Sequence, residues 1–174
     1  MITIRHISQI DYNEYDEVWA IVRSLKYVGA KIRHVPELSP SWNLFKRYRS
    51  LHDAGRWNNQ TFHDIYVPQF LKEMQGKKQR DLLNELFATK KRICLVCFCT
   101  EEELCHRSII GGLLQGAGLA VKGLEHDYSY YFDWYRNGVP GISDDVQPIA
   151  NINPNTVFLY ELKENEKPFE NEIP

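Results

Sequence analysis

Four cysteines lie within one short window, at Cys94, Cys97, Cys99 and Cys105, and the last is followed by His106, Arg107 and Ser108. Thiols, an imidazole and a guanidinium at this spacing permit three kinds of chemistry. An arginine with adjacent hydroxyl and imidazole groups can hold an anion. A thiol beside a histidine can act as a nucleophile, with Cys105 or Cys99 attacking and His106 assisting. Three sulfurs and one imidazole are also of the type that binds zinc. A phosphatase-type loop requires a cysteine six residues before its arginine; position 101 is Glu and Cys99 lies eight residues before Arg107, which argues against that mechanism.

The elements that position these groups are legible around them. Arg92–Cys99 reads as a strand with apolar residues on both faces, the signature of a central parallel strand. Cys94 and Cys97 then fall on opposite faces, and the Cys97 and Cys99 side chains diverge by about 7 Å along one face. On that geometry no metal site is expected. Thr100–Glu103 matches a capping box, and a helix follows through Ile109, Leu113 and Leu114 to Gly118. Gly111 and Gly112 within it imply close packing on the sheet. The strand end and helix start therefore form the kind of crevice in which open α/β sheets bind ligands, and the helix N-terminus favours an anion there.

Upstream, Ile2–His6 and Val18–Val22 read as strands, and Lys31–Val35 as a weaker one. Arg23 follows the second. If that strand and the cysteine strand are parallel neighbours, Arg23 and Arg107 face one crevice. Ser41 is suited to cap a helix carrying Leu44, Phe45, Tyr48 and Leu51 on one face, with Gly55 at its stop. Thr61 is suited to cap another that Pro68 kinks or divides, and Leu82–Phe87 suggests a third. Leu119–Leu124 reads as the next strand. The predicted class is α/β: a single three-layer domain with a mainly parallel, Rossmann-like sheet and a C-terminal aromatic extension.

Cys97 at the strand end, the Glu101–Glu103 loop and Cys105-His106-Arg107 resemble, in type and spacing, the hallmark of the bacterial and viral family called domain of unknown function 488. Arg23 in Ala20-Ile-Val-Arg-Ser24, the stretch Pro36-Glu-Leu-Ser-Pro-Ser41, and Phe62 with Tyr66 match weaker features of it. The resemblance spans roughly residues 2 to 125. It implies an α/β fold with a site at the Cys-His-Arg segment. Family members often carry Asp before the early arginine; here that position is Val22.

The domain boundaries expected are residues 1–125 for the α/β core and residues 126–174 for an extension that packs on the core or forms an interface. Six aromatic residues stand between Tyr128 and Tyr135. They can pack inward, join two copies of the chain into a homo-oligomer, or stack on a ligand. Thr156–Leu162 reads as an edge strand, and residues 163–174 as a fraying end.

Composition narrows the function classes. The chain has 174 residues with 43% hydrophobic and 25% charged, an ordinary globular balance. Lys and Arg number 21 against 23 acids, net −2, so a dominant grip on nucleic acid is not expected. Lys26, Lys31, Arg33, Lys46, Arg47 and Arg49 read as a solvated basic face. No apolar run is long enough to span a membrane, and Met1-Ile-Thr-Ile-Arg5 lacks a secretory pattern. Clustered rather than dispersed cysteines favour a reducing, cytoplasmic setting.

The leading expectation is a binding protein for a small anionic, nucleotide-derived ligand, without a cofactor. Its candidate ligand-binding residues are Arg23, Cys97, Cys99, Cys105, His106, Arg107, Ser108 and Trp42. The alternative is a hydrolase or transferase acting on a nucleotide or phosphorylated metabolite, with Cys105 and His106 as catalytic candidates. The residues alone leave open which of these holds.

Overall fold

A computed structural model describes residues 1–26, 29 and 31–141. Among the described residues, five strands form one sheet: β1 (Ile2–His6), β2 (Glu17–Ala20), β3 (Ile32–His34), β4 (Ile93–Cys97) and β5 (Val121–Lys122). Their order is β3-β2-β4-β1-β5, and every pairing is parallel. All five residues of β4 are buried, so both faces of the sheet centre are covered. The α/β class and parallel sheet expected from the sequence hold.

The order explains the crevice. After β2 the chain proceeds outward to β3; after β4 it proceeds the other way, past β1, to β5. The loops leaving these two neighbouring strands diverge, which is the topological switch point at which such sheets bind ligands. The pairing of β2 with β4, with Ala20 opposite Val96, brings Arg23 and the Cys97 loop to the same end of the sheet.

The helices are α1 (Trp42–Asp53), α2 (Asn59–Thr61), α3 (Val67–Met74), α4 (Lys77–Ala88), α5 (His106–Gly116) and α6 (Tyr130–Asn137). Ser41 caps α1 as expected, its side chain accepting from the Leu44 N–H. The next helix differs. Asn58, not Thr61, is the cap, in a reciprocal box with Thr61. A π-helical turn over Phe62–Tyr66 then joins α2 to α3. Pro68 follows it in the first turn of α3, and the division of the helix expected at the proline is the π-helical turn just before it.

The aromatic segment is α6, seated on α5. Tyr128, Tyr131, Phe132 and Tyr135 are buried, while Tyr130 is exposed. The glycines of α5 allow this. Gly111 faces Leu124 and the Ile4 side chain of the sheet, whereas a Cβ at Gly112 would meet the Tyr128 carbonyl and one at Gly116 the Phe132 Cβ. The close approach expected against the sheet is thus shared with α6. The expected edge strand Thr156–Leu162 and the terminal residues 163–174 lie outside the described residues.

Candidate functional site

The cysteine strand is shorter than the alternation of its residues suggests. The ladder ends at Cys97, opposite His6, the last residue of β1. Beyond it the chain turns under the sheet end, held by backbone carbonyls. His6 Nε2 lies 3.1 Å from the Phe98 carbonyl. Arg107 Nη1 donates to the Cys99 carbonyl at 2.6 Å, and Nη2 to that of Thr100 at 3.5 Å. The fold-back places Cys99 Sγ 3.3 Å from Cys97 Sγ. The divergence of about 7 Å expected for a continuing strand does not occur, and the argument against a metal site that rested on it falls.

The helix start is displaced as well. Glu101–Glu103 stay in the loop, and Cys105 is the N-cap of α5, its sulfur accepting from the Arg107 N–H at 3.5 Å. That sulfur stands 3.6 Å from Cys97 Sγ and 3.7 Å from His106 Nδ1. His106 Nε2 lies 2.7 Å from the Ile21 carbonyl beyond β2, so Nε2 carries the proton and Nδ1 faces the sulfurs. One donor atom from each of Cys97, Cys99, Cys105 and His106 lies within 4.8 Å of every other, a set of metal-ligand type.

All but Cys99 are buried: Cys97 is 2% exposed, Cys105 1% and His106 5%. Their electrostatics are coupled. Hydrogen bonds with Cys105 and then Cys99 hold the Cys97 thiol far below its ordinary range. Burial pushes Cys105 the other way. Burial also opposes charge on His106, but the Cys97 thiolate beside it outweighs this and carries the ring up to about 10. Cys94 stands apart, on the other face of β4, where burial raises it to about 11.

A pocket of about 230 Å³ opens above this cluster. Cys97, Cys105 and His106 form its floor, and Phe45, Tyr48, Trp57 and Tyr66 are among its walls, with Arg23 at the side. The rings brace one another: Tyr48 and Trp57 stand 4.7 Å apart and Trp57 and Tyr66 5.5 Å, both edge to face. Phe45 and Tyr48 were legible as one face of α1, but not as a pocket wall. Trp57 sits between two helices, where no periodicity marks it.

The two arginines do not converge on this pocket. Arg23 lines it; Arg107 lines a separate polar cleft of about 800 Å³, with Arg5, His6 and the acids Glu101–Glu103 and Glu125. Both guanidiniums already donate to backbone carbonyls, Arg23 Nη2 to those of Pro36 and Ser39. The Arg23 Nε has no hydrogen-bond partner among the described residues. Ser108 is fully buried and donates to the Cys105 carbonyl, which keeps its hydroxyl from a ligand. Trp42 is 53% exposed and outside the pocket wall, with the Arg23 guanidinium 6.0 Å from its ring centroid.

Neither the curated proteins nor the solved structures gave a match. A model of the family DUF488-N3a, described as the active DUF488-N3 subclade, matches residues 4–118. That span runs from β1 through α5 and includes Arg23, the aromatic pocket wall and the whole Cys-His-Arg segment. With the strand-end cysteine and Cys105-His106-Arg107 at the start of α5 now placed in space, the chain belongs to the DUF488 family.

Proposed function

We propose that this protein binds a small, ring-bearing anionic ligand, of the nucleotide class, in the aromatic pocket between the ends of β2 and β4. The observation that carries the reading is the pocket itself: apolar rings on its walls and an arginine at its side, at the switch point of a parallel sheet. Pockets for drug-sized ligands measure ~300–1,000 Å³. At about 230 Å³ this one suits a single ring system, with the remainder of the ligand outside. Tyr48 and Trp57 supply stacking faces, a contribution of ~1–3 kcal/mol per base. Arg23 is a cation among the pocket's lining residues and supplies positive charge for the anionic group. The polar cleft is a poorer anion site, because Glu101, Glu102, Glu103 and Glu125 line it.

The test is titration of the full chain with nucleoside 5′-monophosphates, the matching nucleosides and inorganic phosphate, followed by tryptophan fluorescence. A monophosphate should bind saturably. Tyr48→Ala should weaken it by the loss of stacking. Arg23→Ala should remove a charge-assisted bond of ~1.5–3 kcal/mol, about 10- to 150-fold in affinity, and leave nucleoside binding nearly unchanged. Equal effects of Arg23→Ala on nucleoside and nucleotide would refute the assigned anion contact, and no saturable binding by any of these probes would refute the reading.

The alternative reading, a thiol- or His-assisted hydrolase or transferase, draws on the Nδ1 face of His106, 3.7 Å from Cys105 and 4.0 Å from Cys97. It requires product release from a bound nucleotide that Cys105→Ser abolishes. Turnover surviving that substitution would exclude Cys105 as the nucleophile.

A further inference from the structure

We propose that Cys97, Cys99, Cys105 and His106 form a four-ligand site for a soft or borderline divalent metal ion of the zinc class. The inference stands on the cluster's geometry and does not depend on the ligand reading above.

The distances fit a tetrahedron. With Zn–S of ~2.3 Å and Zn–N of ~2.0–2.1 Å, tetrahedral donors stand ~3.8 Å apart sulfur to sulfur and ~3.6 Å apart sulfur to nitrogen. The sulfur pairs here measure 3.3 Å for Cys97 with Cys99 and 3.6 Å for Cys97 with Cys105. The nitrogen of His106 lies 3.7 Å from Cys105 and 4.0 Å from Cys97. No donor pair exceeds 4.8 Å. A disulfide would need ~2.05 Å between sulfurs, and all four cysteines are free.

The surroundings are those of a ligand set. Metal-binding histidines almost always donate their second ring N–H to a fixed acceptor. His106 does so to the Ile21 carbonyl and turns Nδ1 to the sulfurs. Backbone N–H groups of Cys99 and Arg107 donate to Cys97 and Cys105 sulfurs, both at 3.5 Å. Such bonds offset thiolate charge. Three thiolates and a neutral imidazole on a dication leave one net negative charge. The N-terminus of α5 faces it, and the Arg107 guanidinium, bonded to the Cys99 carbonyl, lies alongside. Binding releases to water the protons that the free cluster carries on its sulfurs and on the imidazole, and involves no redox step. Four protein donors make a closed site of structural type. It ties the end of β4 to the start of α5 and forms the floor of the aromatic pocket.

The experiment uses the full chain, purified under reductant, stripped with a chelator and titrated with Co²⁺. Expected are about one Co²⁺ per chain, thiolate-to-metal charge-transfer absorption, the intense visible bands of a tetrahedral site, and displacement by Zn²⁺. Cys97→Ser and Cys105→Ser should each weaken binding by more than the ~10- to 100-fold that accompanies loss of a hydrogen-bond partner behind a ligand. Cys94→Ser should leave it intact. Should the ligand variants fail to fold, the wild-type spectrum decides. No Co²⁺ uptake, or a weak octahedral spectrum without charge transfer, overturns the proposal. So does stoichiometric binding that survives both ligand substitutions.

Discussion

Replacing Gly112 with alanine drives a methyl group into the backbone of the segment leading to α6. The new Cβ would lie 2.1 Å from the Tyr128 carbonyl oxygen, 2.8 Å from its carbon and 2.9 Å from its Cβ. Ordinary van der Waals contact begins near 3.4 Å, so the aromatic segment must retreat by more than ~1 Å, since backbone cannot rotate aside as a side chain can. Retreat loosens four buried rings at once: Tyr128, Tyr131, Phe132 and Tyr135. Overpacking of this kind costs ~1–3 kcal/mol, and the backbone contact places Gly112→Ala at the upper end of that range. For a domain of this size ~3 kcal/mol corresponds to a fall in Tm of ~6–12 °C. The gain in helix propensity of ~1 kcal/mol recovers only part of it. Differential scanning calorimetry on the full chain, beside wild type, measures the difference. A Gly112→Ala variant as stable as wild type would refute the seating of α6 on α5 and return the aromatic segment to the role of an interface.

Two further predictions concern the cysteine segment. Arg107→Ala removes the donors that hold the Cys99 and Thr100 carbonyls; at ~1.5–3 kcal/mol for a hydrogen bond to a charged group, amide exchange in residues 98–104 should accelerate at least tenfold, with little change in β1, and unchanged exchange would contradict the clamp. Cys94, raised by burial to about 11, should resist iodoacetamide at pH 8 in the native protein and react fully only after unfolding; native labelling of Cys94 read by mass spectrometry would contradict its placement.

The scaffold was largely legible in the residues, because long-run apolar patterning reports burial directly. Ile2–His6 is β1 to the residue, and the neighbouring, parallel placement of the Val18 and cysteine strands holds. Boundaries failed where a distant group decided them. The pattern Ile93, Leu95, Cys97, Cys99 continues the alternation of a strand, but pairing stops at Cys97. His6 and Arg107 then bend the chain at Phe98 and Cys99, through contacts 92 and eight residues away in sequence. Glu101–Glu103 satisfy a capping pattern that the chain does not use, since Cys105 takes the cap. The arginines were found as residues of the site region, but the carbonyls they hold, those of Pro36 and Ser39 for Arg23 and of Cys99 and Thr100 for Arg107, were not, because a guanidinium at a strand end can hold a ligand, a loop carbonyl or both. Trp57, partly buried against Tyr48 and Tyr66, belongs to no periodic run and so carried no signal.

The placement of the ligand site most directly decides the account. Native mass spectrometry of the full chain, mixed with a nucleoside monophosphate under reductant, compares wild type with Trp57→Ala and with Trp42→Ala, which alters a ring outside the pocket. The account predicts a one-to-one complex that Trp57→Ala loses and Trp42→Ala keeps; a complex retained by Trp57→Ala and lost by Trp42→Ala would place the ligand on the outer surface and contradict the pocket between β2 and β4.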